Sequence, residues 1–249
     1  MDRRSLINSK VTQNKITILS TRPIDEHLIN EAAKQNINIE VFSFIATEPI
    51  DDLDTYNEIE IALTETATIV FTSMNAVEAV ALHVHDYGPD WKIYCIGNAT
   101  RKLVAEQFGD NSITGTANDA TELAQKIIED DVDQVIFFCG DKRRDELPAL
   151  LREHEIEVIE IEVYETKSIP HKIDKAYNGI LFFSPSAVES FFLNNKLQER
   201  TILFAIGNTT ANEIKKYSRN EIVISDEPGK RNLVENAINF FNKNRIIHN

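Results

Sequence analysis

Short apolar runs alternate along the chain with amphipathic stretches of roughly ten to fifteen residues, a pattern typical of β-α units that build a parallel sheet. The clearest apolar runs predict strands at 16–20, 68–72, 92–96, 134–139, 179–183 and 201–206. The stretches that follow them predict helices at 25–35, 75–85, 99–108, 143–154, 186–196 and 210–216. The pattern therefore indicates an α/β protein.

Two segments depart from this rhythm. Residues 39–44 and 157–164 alternate apolar with polar or charged side chains, which indicates a ribbon with one wet face. Turn-like residues follow each segment, at 47–52 and 166–170. We interpret the two segments as the places where the chain crosses between domains.

The chain also contains an internal repeat. Residues 71–78 (FTSMNAVE) resemble 182–189 (FFSPSAVE), and 94–100 (YCIGNAT) resemble 204–210 (FAIGNTT). A weaker match pairs 121–124 with 231–234. All three lie about 110 residues apart, and two copies of this length indicate duplicated domains rather than a solenoid.

The repeat and the crossings together predict one discontinuous domain with the second inserted in it. We place the first domain at 1–43 and 168–249, the inserted domain at 48–163, and linkers at 44–47 and 164–167. The expected fold class is two similar parallel-sheet α/β domains, joined by a two-stranded linker ladder, with a ligand cleft between them.

Charge and cysteine content restrict the classes of partner. The net charge of −14 argues against nucleic acid and anionic membranes, which are bound mainly through basic patches. Cys95 and Cys139 lie inside apolar runs, as small buried side chains do. No apolar run is long enough to span a bilayer, and polar residues follow the start where a signal peptide would be apolar. We expect a cytoplasmic protein with a short, frayed N-terminus.

The residues that end the predicted strands are small and polar, and backbone N–H groups at the helix starts that follow them favour anions. Serine, threonine and asparagine there also serve as ordinary helix caps, and both roles stay open. Dinucleotide, phosphate-loop and serine-hydrolase motifs are missing from the sequence. We expect His83 and His85 to lie on the surface rather than to bind a metal. Arg143 and Arg144 are expected either to form salt bridges at a helix start or to face a substrate.

The order of the short motifs resembles the uroporphyrinogen-III synthase family, from about residue 16 to residue 241. The motifs that carry the resemblance are TRP at 21–23, FTS at 71–73, IG at 96–97, FCG at 138–140, VYET at 163–166, FSPS at 183–186 and AIGNTTA at 205–211. The resemblance implies two α/β domains and conversion of hydroxymethylbilane to uroporphyrinogen III, with loss of water and inversion of ring D. It implies no metal or organic cofactor.

The resemblance also suggests roles for individual residues. Tyr164 matches the family's tyrosine that helps the hydroxyl group to depart, and a phenol can donate a proton to that group. Thr209 and Thr210 match a turn that binds substrate carboxylates. The remaining substrate-binding candidates are serine, arginine, glycine and asparagine residues of the strand-end turns, namely Ser73, Ser184, Ser186, Arg22, Gly97, Gly140, Gly207 and Asn208.

This chain departs from the family pattern at two turns. Asn208 stands where proline is common, and Thr100-Arg101 replaces a threonine-alanine pair. The implied substrate carries many carboxylates, although the protein itself is acidic. We therefore expect local hydrogen-bond donors, chiefly backbone N–H groups, to bind the substrate carboxylates. Nearby cations should contribute as well, for example Arg22, Arg101, Arg143 and Arg144. We expect a monomer that makes at most a transient contact with the upstream deaminase. A non-catalytic sensor of an anionic small molecule and a phosphate-handling transferase remain as alternatives.

Overall fold

The computed structural model describes residues 15–85, 88–227 and 229–247, with side chains up to residue 244. The predicted frayed N-terminus, and residues 1–14 of the predicted first domain, lie outside the described residues. The strands are β1 (Ile16–Ser20), β2 (Ile37–Val41), β3 (Ile45–Pro49), β4 (Ala67–Phe71), β5 (Trp91–Ile96), β6 (Ile113–Ala117), β7 (Gln134–Gly140), β8 (Glu157–Ser168), β9 (Gly179–Phe182), β10 (Ile202–Ala205) and β11 (Ile222–Ile224).

The helices alternate with these strands, as the hydrophobic pattern predicts. They are α1 (Glu26–Lys34), α2 (Leu53–Thr64), α3 (Met74–Ala81), α4 (Asn98–Phe108), α5 (Ala120–Glu129), α6 (Glu146–Glu153), α7 (Pro185–Asn194), α8 (Asn208–Tyr217) and α9 (Lys230–Ile247), with a 3₁₀ turn at Asp110–Ser112. Two of these helices, α3 and α7, begin at a serine whose side chain caps the helix. Ser73 accepts a hydrogen bond from the backbone N–H of Ala76, and Ser184 accepts one from the backbone N–H of Ala187.

The chain forms two compact units. The discontinuous unit contains the described residues up to Ala46 and those from Ser168 onward, and the inserted unit is Thr47–Lys167. The first contains a five-stranded sheet of order β11-β10-β9-β1-β2, in which the paired strands run parallel. The second sheet has the order β3-β8-β7-β4-β5-β6, and its pairings from β8 to β6 are parallel.

Strand order reveals how similar the two units are. Read from one edge, β6-β5-β4-β7-β8 occupies the positions that β11-β10-β9-β1-β2 occupies in the other sheet. The repeated sequences thus lie on equivalent strands, β4 and β5 in one unit and β9 and β10 in the other. The prediction of two similar parallel-sheet α/β domains is confirmed.

Helices cover both faces of each sheet, so neighbouring residues of one strand enter different cores. Phe71 and Phe138 belong to one apolar cluster of the inserted unit, whereas Val70 and Phe137 belong to the cluster on the opposite face. This arrangement explains the nearly continuous apolar runs in the sequence.

The interpretation of residues 39–44 as a crossing ribbon is wrong. Residues up to Val41 form β2, which pairs in parallel with β1, and the following strand β3 lies beside β8. β2 is the edge strand of its sheet. An edge strand with one wet face has the same alternating pattern as a ribbon, which is why the pattern misled.

Candidate functional site

The carboxyl ends of β4 and β7, with the part of β8 that lies beside Gly140, bring three of the predicted site residues together. Tyr164 of β8 accepts a hydrogen bond at its phenol oxygen from the hydroxyl of Ser73, with 3.1 Å between the two oxygens. Ser73 follows β4 and caps α3, where its oxygen accepts from the backbone N–H of Ala76 at 3.2 Å. The Tyr164 ring is half-buried against the core of the inserted unit.

Gly140 provides the space for this ring. A Cβ atom built on Gly140 would lie 2.3 Å from Cζ and 2.8 Å from the phenol oxygen of Tyr164. The two residues become partners because the β7–β8 register shifts between Cys139 and Gly140. Only glycine fits this position while the ring keeps its place.

Backbone hydrogen bonds fix the same corner. The N–H of Asp141 donates to the carbonyl oxygen of Tyr164 at 3.1 Å, and an Asp141 carboxylate oxygen accepts from the N–H of Thr166 at 2.8 Å. Sequence reasoning missed this positioning role of Asp141, because the contact depends on the register shift. The aspartate directly after Gly140 was the only signal available.

The arrangement has a chemical consequence for Tyr164. Its oxygen accepts from Ser73, so its own hydrogen remains available to another acceptor. A phenol held this way can donate a proton to a leaving hydroxyl group. The described contacts of Tyr164 are compatible with such a donor.

The glycine turns of the repeat differ in backbone conformation. Gly97 has φ = +83°, in the left-handed region that favours glycine, and Gly207 has φ = −178°, which any residue adopts. Both precede the helix that follows their strand. The sequence repeat alone did not reveal this difference.

Apart from Arg22 and Gly207, the predicted residues of the discontinuous unit lie at two helix starts. Ser184 caps α7, and Ser186 follows in its first turn. Asn208 and Thr209 are exposed at the start of α8. Thr210, in the same turn, is only 3% exposed, so its hydroxyl is buried rather than open to a ligand.

Two of the predicted cations are neutralised by neighbours. Arg101 pairs with Asp110 at 2.8 Å, and Arg143 pairs with Glu160 and with Asp145. The salt-bridged interpretation of Arg143 is therefore confirmed, although α6 begins later than predicted, at Glu146. Arg22 has no carboxylate partner among the residues with described positions, and its guanidinium carbon lies 5.8 Å from the ring centre of Phe183.

Both cysteines are buried free thiols, as predicted. Burial raises the pKa of Cys95 to about 11 and that of Cys139 to about 12, the Glu160 charge adding to the rise at Cys139. Within the described ranges, no cluster of His, Cys, Asp or Glu has the arrangement of a metal site. None of the helices that can be described there is long and apolar enough to cross a membrane.

Comparison with known proteins connects this geometry to a family. The fold resembles the structure of a uroporphyrinogen III synthase mutant from the extremely thermophilic bacterium Thermus thermophilus, with a TM-score of 0.61, 15% identity, and coverage of 90% of this chain and 98% of that chain. It also resembles uroporphyrinogen-III synthetase from Helicobacter pylori 26695, with a TM-score of 0.62, 18% identity, and coverage of 90% and 99%. The family model described as uroporphyrinogen-III synthase HemD matches residues 26–235, most of the chain. The chain therefore belongs to the uroporphyrinogen-III synthase family.

Proposed function

We propose that this chain is a uroporphyrinogen-III synthase that closes hydroxymethylbilane to uroporphyrinogen III in tetrapyrrole biosynthesis. The observation that carries the proposal is the Ser73–Tyr164 hydroxyl pair above Gly140 in a member of this family. The motif around Tyr164 matches the family's proton-donating tyrosine, and the hydrogen bond from Ser73 supports that role.

In the first step, Tyr164 donates its proton to the hydroxyl of the substrate's hydroxymethyl group. The C–O bond breaks, water leaves, and the terminal methylene becomes cationic. The substituted carbon of the last pyrrole ring attacks this cation and becomes a spiro centre. The bond from that carbon to its original methylene bridge then breaks, and the free α-carbon of the same ring attacks the methylene cation that is released, so the ring is inverted. The phenolate recovers a proton when the closed ring system loses one, so the net change is loss of one water molecule.

Most of the rate acceleration would come from holding the linear substrate in the conformation that reacts. Correct placement of two reacting atoms can lower a barrier by about 7–11 kcal/mol. Ser184, Ser186, Asn208 and Thr209 are proposed to bind substrate carboxylates through hydroxyl and backbone N–H groups at the starts of α7 and α8. Gly97, Gly207 and Thr210 would contribute through their backbone.

Further properties follow from this proposal. The reaction class would be that of a lyase that removes water while it forms a ring. We expect a cytoplasmic monomer that receives its unstable substrate from the upstream deaminase in a transient contact. Light scattering of the purified protein tests the monomeric state, and light scattering of a mixture with the deaminase tests the contact between the two enzymes.

The deciding experiment feeds purified protein with freshly generated hydroxymethylbilane, oxidises the products and separates the uroporphyrin isomers. Without a catalyst the substrate closes to the type I isomer, so a heat-denatured sample is the control. Excess type III isomer supports the proposal. Type I alone, from protein with an intact circular dichroism spectrum, would overturn it and favour the sensor hypothesis.

A further inference from the structure

The strand β8 continues past the point where its neighbour β7 ends. The two strands pair in parallel up to Gly140, which lies opposite Tyr164 after the register shift. The chain then turns away from β8, since the N–H of Arg143 donates to the carbonyl oxygen of Gly140 at 3.0 Å. β8 itself runs on to Ser168. The segment that follows Tyr164 therefore loses its regular partner on this side.

Asp141 takes the place of that partner. Its N–H donates to the carbonyl oxygen of Tyr164 at 3.1 Å, as a parallel ladder requires at this point. In a regular ladder the N–H of Thr166 would then donate to the backbone carbonyl of Asp141. It donates instead to the Asp141 carboxylate, at 2.8 Å. The carboxylate thus replaces a carbonyl of the sheet while the backbone turns away.

The other edge of β8 is paired with β3 in the ordinary way. The N–H of Ile50 donates to the carbonyl oxygen of Val163 at 3.0 Å, directly before Tyr164. The backbone that carries the phenol is therefore bonded on both edges, and Asp141 provides the bonds on one of them.

The position of the Tyr164 ring depends on this backbone. Val163 and Tyr164 both pack against the same apolar cluster, because the register shift turns two consecutive side chains to one face. Loss of the bond from Thr166 to Asp141 would let the segment move. A displaced ring would carry its hydroxyl away from Ser73, whose oxygen lies 3.1 Å from the phenol oxygen.

We propose that Asp141 is a positioning residue that sets the turnover rate through Tyr164, an inference that rests on the proposed function. Its carboxylate acts as a hydrogen-bond acceptor for the N–H of Thr166 and not as a charge. Its ion pair supports this distinction, because the Nζ atom of Lys142 is 3.8 Å away and the lysine side chain is 60% exposed. The motif that matches the family at 138–140 ends one residue before Asp141.

The test compares Asp141→Ala and Asp141→Asn with wild type on freshly generated hydroxymethylbilane. Asp141→Ala removes the acceptor and should lower kcat about tenfold with less than about a twofold change in KM, because the proton donor is misplaced while the binding groups remain. Asp141→Asn removes the charge but keeps an acceptor oxygen, so it should restore most of the lost kcat.

The matched control is Asp119→Ala in the same unit. Asp119 also accepts a hydrogen bond from a backbone N–H, that of Glu122 at 2.9 Å, where it caps α5. This variant loses the same charge and the same type of bond, and its kcat should equal that of wild type.

A double variant shows whether Asp141 acts through the phenol. In a Tyr164→Phe background, Asp141→Ala should lower kcat little further, because the group that it positions is already absent. Full additivity of the two losses would overturn the inference.

A second measurement needs no substrate. Amide hydrogen exchange at Thr166, followed by mass spectrometry of the peptide that contains it, should be faster in Asp141→Ala than in wild type and in Asp141→Asn. Equal exchange in all three proteins would overturn the inference. So would an unfolded Asp141→Ala, judged by circular dichroism, since the contact would then support the whole fold.

The outcomes separate this inference from the proposed function. If wild type makes type III isomer while Asp141→Ala keeps its kcat, or while Asp141→Asn is as slow as Asp141→Ala, the synthase stands and the positioning role is wrong. If wild type makes only type I isomer, the proposed function is wrong and this inference falls with it.

Discussion

The hydroxyl of Ser73 performs two tasks, since it caps α3 and donates to Tyr164. Tyr164→Phe removes the proton donor and should lower kcat about 100-fold, a typical loss for a general acid, with little change in KM. Ser73→Ala should lower kcat by a smaller factor, because the phenol remains but loses its orientation. Steady-state kinetics on both variants test this prediction.

The control for Ser73→Ala is Asp52→Ala, which removes the cap of α2 in the same unit without contacting Tyr164. Both cap variants should lose about 1 kcal/mol of unfolding free energy. Only Ser73→Ala should lower kcat. Wild-type turnover in Tyr164→Phe would refute the acid role.

Gly140 offers a test of position rather than of chemistry. Gly140→Ala places a methyl group at 2.3–2.8 Å from ring atoms of Tyr164, so the ring must move. We expect kcat to fall toward that of Tyr164→Phe although the phenol is still present. The double variant Gly140→Ala/Tyr164→Phe should be little slower than either single variant, and full additivity would argue against a shared mechanism.

Gly97 and Gly207 match in the repeat but should differ on substitution. Gly97→Ala forces a Cβ into the left-handed region and should cost about 1–2 kcal/mol of stability. Gly207→Ala should be nearly neutral, because its backbone is extended and no atom lies within 4 Å of the added Cβ. Urea unfolding of the two variants measures the difference, and equal losses would contradict it.

At this scale the sequence predicted residue types better than contacts. Tyr164, Ser73 and Gly140 were all candidates, yet nothing in the pattern placed Ser73 beside a tyrosine 91 positions later. That contact depends on strand order and on the register shift at Gly140. Thr210 shows the opposite case, because its motif predicts a binding hydroxyl and its packing buries it.

At the scale of elements, strands that are buried on both faces were predicted well. The predicted strand 16–20 coincides with β1, and the strands at 92–96 and 134–139 differ from β5 and β7 by one residue. Such strands are continuous apolar runs of 5 to 7 residues, and this short length separates them from buried helices, which have a similar composition. The ends of the helices that follow these strands were predicted less exactly than the ends of the strands.

The missed elements have weaker patterns. Residues 47–52 were interpreted as turn-like, whereas β3 continues to Pro49 and Asp52 caps α2 by accepting a hydrogen bond from the N–H of Thr55 at 2.8 Å. An aspartate before an amphipathic stretch indicates the start of a helix. This indication was missed because the neighbouring residues are also acidic and are typical of a turn on the surface. Strand β6 contains Gly115 and is only partly buried, so its apolar run is too weak to recognise.

At the scale of the whole molecule, the two buried thiols predict alkaline sensitivity. The ordinary thiol pKa is 9.0, and burial raises it to about 11 in Cys95 and about 12 in Cys139. Above pH 9 the unfolded chain loses these protons while the folded chain keeps them, so unfolding becomes more favourable as pH rises. The slope should approach about 1.4 kcal/mol per pH unit for each thiol.

Urea unfolding at pH 8 and at pH 10 measures this loss. A Cys95→Ala/Cys139→Ala variant should be less stable at pH 8, because it loses packing, but its stability should change less between the two pH values. Both thiols lie in the inserted unit, so a signal from Trp91 reports on the relevant transition. Equal pH dependence in the variant and the wild type would refute the prediction.

The net charge of −14 and a substrate with many carboxylates predict opposing effects of salt on binding. Salt weakens the long-range repulsion between protein and substrate, and it also weakens the local attraction to exposed cations such as Arg22. Backbone N–H donors at helix starts depend less on ionic strength than exposed cations do. From about 50 to about 200 mM salt, KM should therefore change by less than about threefold. A ligand that is bound through many ion pairs loses about 10³-fold or more in binding affinity over the same range.

Two outcomes would contradict this expectation. A steep rise in KM with salt would mean that cationic side chains dominate binding, and a steep fall would mean that long-range repulsion controls binding. Repeating the series with Arg22→Gln separates the two effects, because this variant lacks one local cation while the repulsion changes by only one charge in a chain of net charge −14.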